Sequence, residues 1–481
     1  MAFPLPEVRS ADRTEWTRTL WTAGLIGVVW AWIIVPKIIQ SVLSPKYRNS
    51  VGVASAPYSR VAALADFGLY IAVIAVCALI ILGYLNTLEW RSSGLLLCLL
   101  IPWAYIAVRD VYVPARLLEE GVCYPLIVIA VWILKPDLRR LEILGYLIGA
   151  TAVVSVLLAV TMPTHAIFRS ASGEVIVDDK QIIPGGLLVG VFTQGNNLGQ
   201  FLALGLPAVF LVRRRWWRYG LAAVATFAVV WSASRGAMLA LAVGTVAYLV
   251  VRVTRPVLRQ LVAPFVVLVP FVVVCVVPLV TTTETAFTNR GLVWLVSLRA
   301  WSSDRWFGLG ANWYEVIGSS SSRIAGSVFH GHNQLVQFLV TGGIVFALAV
   351  VPQLWAGVVR ATRSAVHGDL FGVTWLAVLA GACLFEKSFT YVDNANFLVP
   401  TVLPFAFLLL ARRPAEPDAD GGSAVVEHGP AGVGAPRRAV PRTRTRPPAS
   451  VRRPPGTPVG RSPVRVPSVR DAVARGRHSR A

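Results

Sequence analysis

Residues 261–280 read LVAPFVVLVPFVVVCVVPLV, a run without a single charged side chain. A helix needs about 20 apolar residues to cross the hydrocarbon core of a bilayer, and this run has that length. Comparable runs recur along most of the chain. We count twelve, at residues 17–36, 61–85, 92–108, 121–134, 141–160, 196–212, 219–234, 236–251, 261–280, 333–352, 369–385 and 396–411. The sequence therefore predicts an all-α fold, a polytopic transmembrane bundle of about 12 helical spans.

The composition excludes an ordinary soluble domain. Hydrophobic residues make up 55% of the 481 residues and charged residues only 14%, so too few polar side chains exist to cover a soluble core. About half of the formal net charge of +21 belongs to residues 411–481, which hold 15 Arg and 5 acidic residues. This Arg- and Pro-rich stretch predicts a disordered cytoplasmic tail, which either touches anionic headgroups or only keeps the terminus inside. Residues 1–410 form the membrane domain, and we expect no nucleic-acid partner.

Basic residues collect in alternate loops of the predicted bundle. The clusters lie at residues 135–140, 213–218, 252–259 and 360–363. By the positive-inside rule this side is cytoplasmic, and both termini lie there as well. The loop at residues 37–60 disagrees, because it carries four basic residues on the predicted outside. Residues 281–332 then form a large outer loop, in which we expect short interfacial helices.

Four polar segments interrupt the apolar pattern on the predicted outer side. They are residues 190–197, 231–236, 289–294 and the pair His332–Asn333. Because all four share one side, Arg235, Arg290 and His332 are able to converge on one site.

Arg235 stands between two apolar runs with almost no loop around it. An unpaired charge in the membrane costs about 2.5–3.5 kcal/mol on insertion scales, so such a residue is expected to have a partner. One interpretation is a tight turn whose arginine snorkels to water. The other is an anion-binding arginine, since a planar guanidinium matches two phosphate oxygens. Arg290 is either a solvated loop residue or, four residues before Trp294, part of one face of an interfacial helix.

Three interpretations are open for His332. It stands at the start of a span with no chemical role, and Asn333 caps the helix that follows. Alternatively, His330 and His332 bind a metal, although no Cys or carboxylate pair accompanies them in the sequence. In the third interpretation His332 is a general base, because its ordinary pKa of about 6.5 suits proton abstraction near neutral pH, and Asn333 orients the substrate.

Five short motifs follow one another between residues 185 and 350. They are Gly190-x-Phe192-x-x-x-Asn196, the turn Ser234-Arg235-Gly236, Arg290-x-x-x-Trp294, Phe307-Gly308-x-Gly310, and His332-Asn333 ahead of the pair Gly342-Gly343. In this order they resemble the O-antigen ligase and O-antigen polymerase superfamily of bacterial membrane glycosyltransferases. The motifs do not separate ligases from polymerases, since both share this core.

The resemblance implies a membrane-bound, metal-independent glycosyltransferase without a cofactor. Such an enzyme moves a glycan from a polyprenyl diphosphate carrier, such as undecaprenyl diphosphate, to a hydroxyl of a lipid, glycan or protein acceptor. The reaction would invert the anomeric centre and take place on the outer face of the bacterial cytoplasmic membrane. The implied catalytic residues are His332, Arg290 and Arg235. The implied substrate-binding residues are Asn333, Asn196, Trp294, Ser234 and Gly310.

The main alternative is a transporter or flippase of lipid-linked saccharides, in which the same arginines guide a diphosphate and no bond is broken. A transporter is expected to carry polar or charged residues deep within several spans. Most of the apolar runs are free of charges, with Asp66 as the main exception. The sequence therefore favours the transferase.

Overall fold

The computed structural model describes residues 10–45, 47–48, 58–87, 92–111, 120–170, 174–175, 180–318, 330–391 and 395–412. Its helices are α1 (Ser10–Leu43), α2 (Arg60–Tyr84), α3 (Ser93–Val111), α4 (Cys123–Leu134), α5 (Glu142–Thr161), α6 (Pro163–Ala166), α7 (Gly195–Val209), α8 (Arg215–Trp231), α9 (Arg235–Val253), α10 (Pro256–Val280), α11 (Ala286–Trp301), α12 (Trp313–Gly318), α13 (Gln334–Val366), α14 (Phe371–Cys383) and α15 (Leu398–Leu410). Two-residue strands β1 (Tyr47–Arg48) and β2 (Arg169–Ser170) pair in parallel. The predicted all-α fold is confirmed.

Each of the twelve predicted apolar runs coincides with one helix, but the count of twelve crossings is not confirmed. Six helices, α1, α2, α5, α9, α10 and α13, are long and apolar enough to cross a membrane. Helices α3, α4, α14 and α15 are apolar but shorter. Helices α7 and α8 have only 15 and 17 residues.

Small residues allow the central helices to approach closely. A Cβ on Gly145 of α5 would collide with the backbone of Ala208 in α7, and one on Gly381 of α14 would lie 2.7 Å from Cα of Ala240 in α9. Such close backbone contacts are typical of helix packing in membranes. Every residue of α7 from Leu198 onward, and every residue of α14 except Thr374, is buried. These two helices form the centre of the bundle.

Helices α9 and α14 run antiparallel, which defines two ends of the bundle. Going back along α9, glycine or alanine positions meet successively later residues of α14 and its extension: Gly244 with Val378, Ala240 with Gly381, and Gly236 with Phe385. The start of α9 and the segment after α14 therefore lie together, and we name this the Arg235 end. Since α9 has 19 residues, its other terminus is roughly 28 Å away.

The opposite end, which we name the Arg259 end, gathers several of the basic clusters. Arg259 is buried and donates from Nη1 to the carbonyl of Ala365 and from Nε to the carbonyl of Thr254, at 3.1 Å each. Arg213 lies 3.4 Å from a carboxylate oxygen of Glu142. The basic clusters and the polar segments that we single out thus occupy opposite ends, as the charge pattern predicts.

The predicted outer loop folds back on the bundle and contains helices. Of residues 281–332, the structure describes all but 319–329, and within this part lie α11 and α12. Their apolar side chains pack against the start of α13 in one small buried cluster, formed by Val293, Trp294, Tyr314, Val336 and Val340. The prediction of short helices in the loop is confirmed. The predicted disordered tail, apart from Ala411 and Arg412, lies outside the described residues.

Candidate active site

A fifth polar segment, which the sequence analysis did not single out, lies at the centre of the Arg235 end. It is Phe385-Glu386-Lys387-Ser388, directly after α14. Glu386 is the acidic residue of this segment, and only 12% of its side chain is exposed. A carboxylate at such a position needs charged or hydrogen-bonding partners, because burial without them is expensive.

Glu386 contacts three of the residues that the sequence singled out. Its Oε1 lies 2.8 Å from Nη2 of Arg290. Its Oε2 lies 3.4 Å from Nε2 of His330 and 3.4 Å from Nδ1 of His332. Burial raises the pKa of Glu386, but His332, His330 and Arg290 more than offset this effect and hold that pKa well below its usual range. The carboxyl is therefore ionised and joins Arg290 to His332.

Arg290 is fixed by the protein and is not a solvated loop residue. Its Nε donates to the carbonyl of Phe385 at 3.0 Å, and its guanidinium carbon lies 5.6 Å from the centroid of the Phe385 ring. The helix around it is broken just before this point, because Phe287, Thr288 and Asn289 all have positive φ. This break turns the regular part of α11, with Arg290 in its first turn, toward the segment after α14.

Trp294 shares one face of α11 with Arg290, as the spacing predicts. Its ring stacks on Phe385 with centroids 6.4 Å apart and an interplanar angle of 7°. Its Nε1 donates to the carbonyl of His332 at 3.3 Å. The Trp294 side chain is fully buried by protein, so the contacts that the structure shows support the His332 backbone. Its contact with substrate stays a prediction.

His332 adopts an unusual backbone conformation between Gly331 and Asn333. Its φ is +45°, in the left-handed region that residues other than glycine seldom adopt and that often marks functional sites. Its Nδ1 is buried and points at Oε2 of Glu386, at a distance longer than that of a good hydrogen bond. Its Nε2 makes no hydrogen bond with a described residue, and 21% of the side chain is exposed.

His330 lies against His332, with ring centroids 4.2 Å apart. Its Nδ1 accepts a hydrogen bond from the backbone N–H of His332 at 3.2 Å, so its ring proton resides on Nε2, which faces Glu386. Burial lowers the pKa of His330 well below its usual range, and His332 acts in the same direction against the attraction of Glu386. His330 is therefore a neutral imidazole.

Asn333 and Gln334 hold the segment around Glu386 in place. Asn333 caps α13 by accepting from the N–H of Val336, and its Nδ2 donates to the carbonyls of Val274 and Leu384 at 3.0 and 3.1 Å. Gln334 Oε1 accepts from the backbone N–H groups of residues 388 and 389, at 2.9 Å each. The structure thus shows Asn333 as a helix cap, one of its two interpretations; a contact with substrate stays a prediction.

Arg235 and Ser234 lie beside this cluster, at the start of α9. Ser234 is buried and caps α9 by accepting from the N–H of Ala237. Arg235 is exposed and makes no hydrogen bond or ion pair with any described residue. Its neighbour Gly236 approaches Phe385, since a Cβ there would lie 3.7 Å from that of Phe385. The start of α9 therefore approaches the segment that carries Glu386, and the Arg235 guanidinium has no partner among the described residues.

Asn196 lies in the first turn of α7, near the same turn. A Cβ on Gly199, one turn further, would lie 2.5 Å from Cβ of Ser234. Gln200 donates to the hydroxyl of Ser388, beyond Glu386. Asn196 itself is partly exposed and has no hydrogen bond to a described residue, so its amide is available at this end of the bundle.

Gly310 belongs to a turn that docks on α13. The N–H groups of Leu309 and Gly310 donate to the carbonyls of Val340 and Thr341 at 2.6 and 3.2 Å. Gly343 interrupts α13 at this point with φ +70° and ψ −168°, which makes room for the turn. The turn is therefore built on the Gly342-Gly343 pair. The predicted contact of Gly310 with substrate stays a prediction.

Residues 220–351 match the family model described as O-Antigen ligase. Over these residues the chain is similar to the O-antigen ligase family. The match confirms the resemblance that the motifs indicated and includes Arg235, Arg290, Trp294, His332 and Asn333. A comparison with curated proteins found no match.

The matched residues supply part of the cluster, and the rest lies outside them. Glu386 follows the match by more than thirty residues, and Asn196 precedes it. The sequence did hold a signal for Glu386, which is an acidic residue in a short loop between two apolar runs on the predicted outer side. It is the same kind of signal that singled out Arg235.

Proposed function

We propose that this protein is a membrane glycosyltransferase that moves a glycan from a polyprenyl diphosphate carrier to an acceptor hydroxyl, as an O-antigen ligase or a polysaccharide polymerase. The observation that carries the proposal is the contact of one carboxylate, Glu386, with Arg290 and His332, beside the unpaired Arg235. Together these residues offer a general base and two cations at one end of a helical bundle. The O-antigen ligase family match supports this class of reaction.

His332 is the proposed general base. With its ring proton on Nδ1, facing Glu386, its Nε2 takes the proton of the acceptor hydroxyl. The hydroxyl oxygen forms a bond to the anomeric carbon while the bond from that carbon to the carrier phosphate breaks, and the electron pair leaves with the diphosphate. Attack from the face opposite the leaving group inverts the anomeric centre. Glu386 stabilises the imidazolium that forms, as carboxylates paired with a catalytic histidine do.

Arg235 and Arg290 are the proposed partners of the diphosphate. Arg235 has no partner among the described residues, and its exposed guanidinium suits bidentate contact with phosphate oxygens. Arg290 shares Nη2 with Glu386 and adds positive charge at a fixed position. Preorganised cations offset the charge that develops on the leaving group, so the proposed reaction needs neither a metal nor a cofactor.

The membrane position of the site suits a lipid-linked donor. The carrier chain stays in hydrocarbon while its diphosphate reaches the Arg235 end, where Asn196 and Ser234 border the arginine. From the positive-inside rule we expect this end to lie on the outer face of the bacterial cytoplasmic membrane, with both termini inside. The acceptor is a hydroxyl of a lipid, a glycan or a protein that meets the donor there.

Transfer of a lipid-linked glycan by the purified protein in vesicles tests the proposal. We expect His332→Ala to abolish transfer while protein level, thermal stability and binding of the carrier persist. The matched control is His367→Ala, because His367 is exposed beside the carbonyl of Arg363, away from the cluster. Full activity of His332→Ala would exclude the proposed base. Movement of the lipid across the vesicle without transfer to any acceptor would instead identify a flippase.

A further inference from the structure

We propose that His330, His332 and Glu386 also bind one divalent transition metal ion of the zinc class, and that this ion inhibits the transferase. The inhibitory effect rests on the proposed function, whereas metal binding does not. His330 motivates the idea, because neither the family motifs nor the proposed reaction assigns it a role. Two imidazoles and one carboxylate are a donor set that zinc favours.

The distances suit tetrahedral coordination. Ligand atoms bound to zinc at about 2.0–2.2 Å lie roughly 3.3–3.5 Å from one another at tetrahedral angles. Nε2 of His330 and Nδ1 of His332 each lie 3.4 Å from Oε2 of Glu386. All three donor atoms lie within 4.8 Å of one another. The two nitrogens lie within 4.8 Å of each other, so a small rotation of the rings brings them to the tetrahedral separation, and water supplies the fourth ligand.

The contacts of the cluster leave the donor atoms available. Arg290 pairs with Oε1 of Glu386, so Oε2 can bind a metal while the arginine keeps its partner. Nδ1 of His332 is buried and makes no hydrogen bond with a described residue. Its distance of 3.4 Å from Oε2 is long for a hydrogen bond, but it is normal for two atoms that bind the same metal ion. A bound metal ion would give this buried nitrogen the partner that it lacks.

Two features of the cluster oppose metal binding. The ring proton of His330 has to move from Nε2 to Nδ1, which ends the 3.2 Å hydrogen bond from the backbone of His332. The positive charges of Arg290 and Lys387 also oppose a cation, since both lower the pKa of His330, although Arg290 is paired with Glu386. Both effects weaken the site relative to a dedicated structural zinc site, which is consistent with reversible inhibition.

Inhibition follows from the ligand role of His332. When its Nδ1 lone pair binds the metal, the ring proton resides on Nε2. That nitrogen then has no lone pair to accept the proton of the acceptor hydroxyl. A bound ion therefore removes the general base without changing any covalent bond.

Direct binding tests the site without relying on activity. Titration of the full-length protein with Zn²⁺ against a chromophoric chelator is expected to reveal one site per chain, and Co²⁺ at that site is expected to show the visible spectrum of tetrahedral coordination. His330→Asn is the informative variant, because Oδ1 replaces Nδ1 as the acceptor for the His332 N–H while the donor at Nε2 is lost. Its affinity should fall by at least about tenfold. His367→Asn is the matched control.

Absence of binding near one equivalent, or an affinity unchanged in His330→Asn, would overturn the proposal even if transfer is observed. In the transfer assay, with each rate expressed relative to that of the same protein without Zn²⁺, His330→Asn should need at least about ten times more Zn²⁺ for half-inhibition. Equal inhibition of the variant and the parent protein would also contradict the assignment. Melting temperatures of both variants separate loss of a ligand from loss of fold.

Discussion

Arg290 and Glu386 stand 96 residues apart in the chain, and Nη2 of the arginine lies 2.8 Å from Oε1 of the glutamate. The two side chains are only 21% and 12% exposed. The pair joins the large loop before α13 to the segment after α14, and through Oε2 it extends to His332. Removal of one partner of a buried pair leaves an uncompensated charge. Informative variants therefore keep the size of the side chain that they replace.

Arg290→Lys keeps the charge but loses the fork-shaped donor set. A lysine can face Glu386 but cannot also donate from Nε to the carbonyl of Phe385. We expect the transfer rate to fall about 10²-fold, as when one preorganised donor to a developing anion is removed. Transfer in vesicles measures it. Arg299→Lys, an exposed position on the same helix, is the control; an equal rate in both variants would exclude the role of Arg290.

Glu386→Gln keeps the size of the side chain and removes its charge. Without the carboxylate, His332 loses the group that orients its ring and stabilises its protonated form. We expect a loss of transfer of at least about tenfold and up to about 10⁴-fold, the loss seen when the carboxylate partner of a catalytic histidine becomes an amide. The control is Glu142→Gln at the Arg259 end, where an ion pair with Arg213 contributes little. Wild-type transfer in Glu386→Gln would show that the charge is dispensable.

Asn333→Ala is expected to act on stability. The variant removes the cap of α13 and leaves the carbonyls of Val274 and Leu384 without their donors. We expect the free energy of unfolding to fall by about 2–4 kcal/mol. Thermal unfolding in detergent, compared with His332→Ala, distinguishes the two residues: Asn333→Ala should lower the melting temperature, and His332→Ala should not. An Asn333→Ala protein of unchanged stability that cannot bind carrier would favour the predicted substrate contact.

Gly343→Ala tests the docking of the turn at residues 307–310. A Cβ at Gly343 would collide with the carbonyl of Trp306, and its backbone conformation is one that only glycine adopts readily. Gly310→Ala is the matched comparison, since Gly310 also has positive φ but no atom stands within 4 Å of its Cβ. We expect a loss of about 1–3 kcal/mol for Gly310→Ala and more for Gly343→Ala. Thermal unfolding of both proteins measures the difference, and equal losses would contradict the proposed clash.

Much of the site was predictable because unusual residues mark it. Arg235 and His332 stand out against apolar runs, and the structure places both beside the segment after α14. Glu386 is also a charged residue in a short loop between apolar runs, but that position alone does not predict a role for it. Its contacts with Arg290 and His332 indicate that it belongs to the site. The number of membrane crossings could not be predicted from the apolar runs, because the length of several short helices does not decide whether they cross the membrane.

The sequence by itself determined the helices, since the length and purity of an apolar run are local properties that a membrane or a buried core selects directly. It also determined which loops are basic, because the charge of a loop follows directly from its residues. The tertiary structure alone decided which polar residues meet. Small residues determine how closely α9 and α14 pack, and the break before Arg290 changes the direction of α11. Hydrogen bonds from Asn333 and Gln334 hold the segment after α14 in place. The contact between Arg290 and Glu386 depends on all three features, and local sequence predicts none of them.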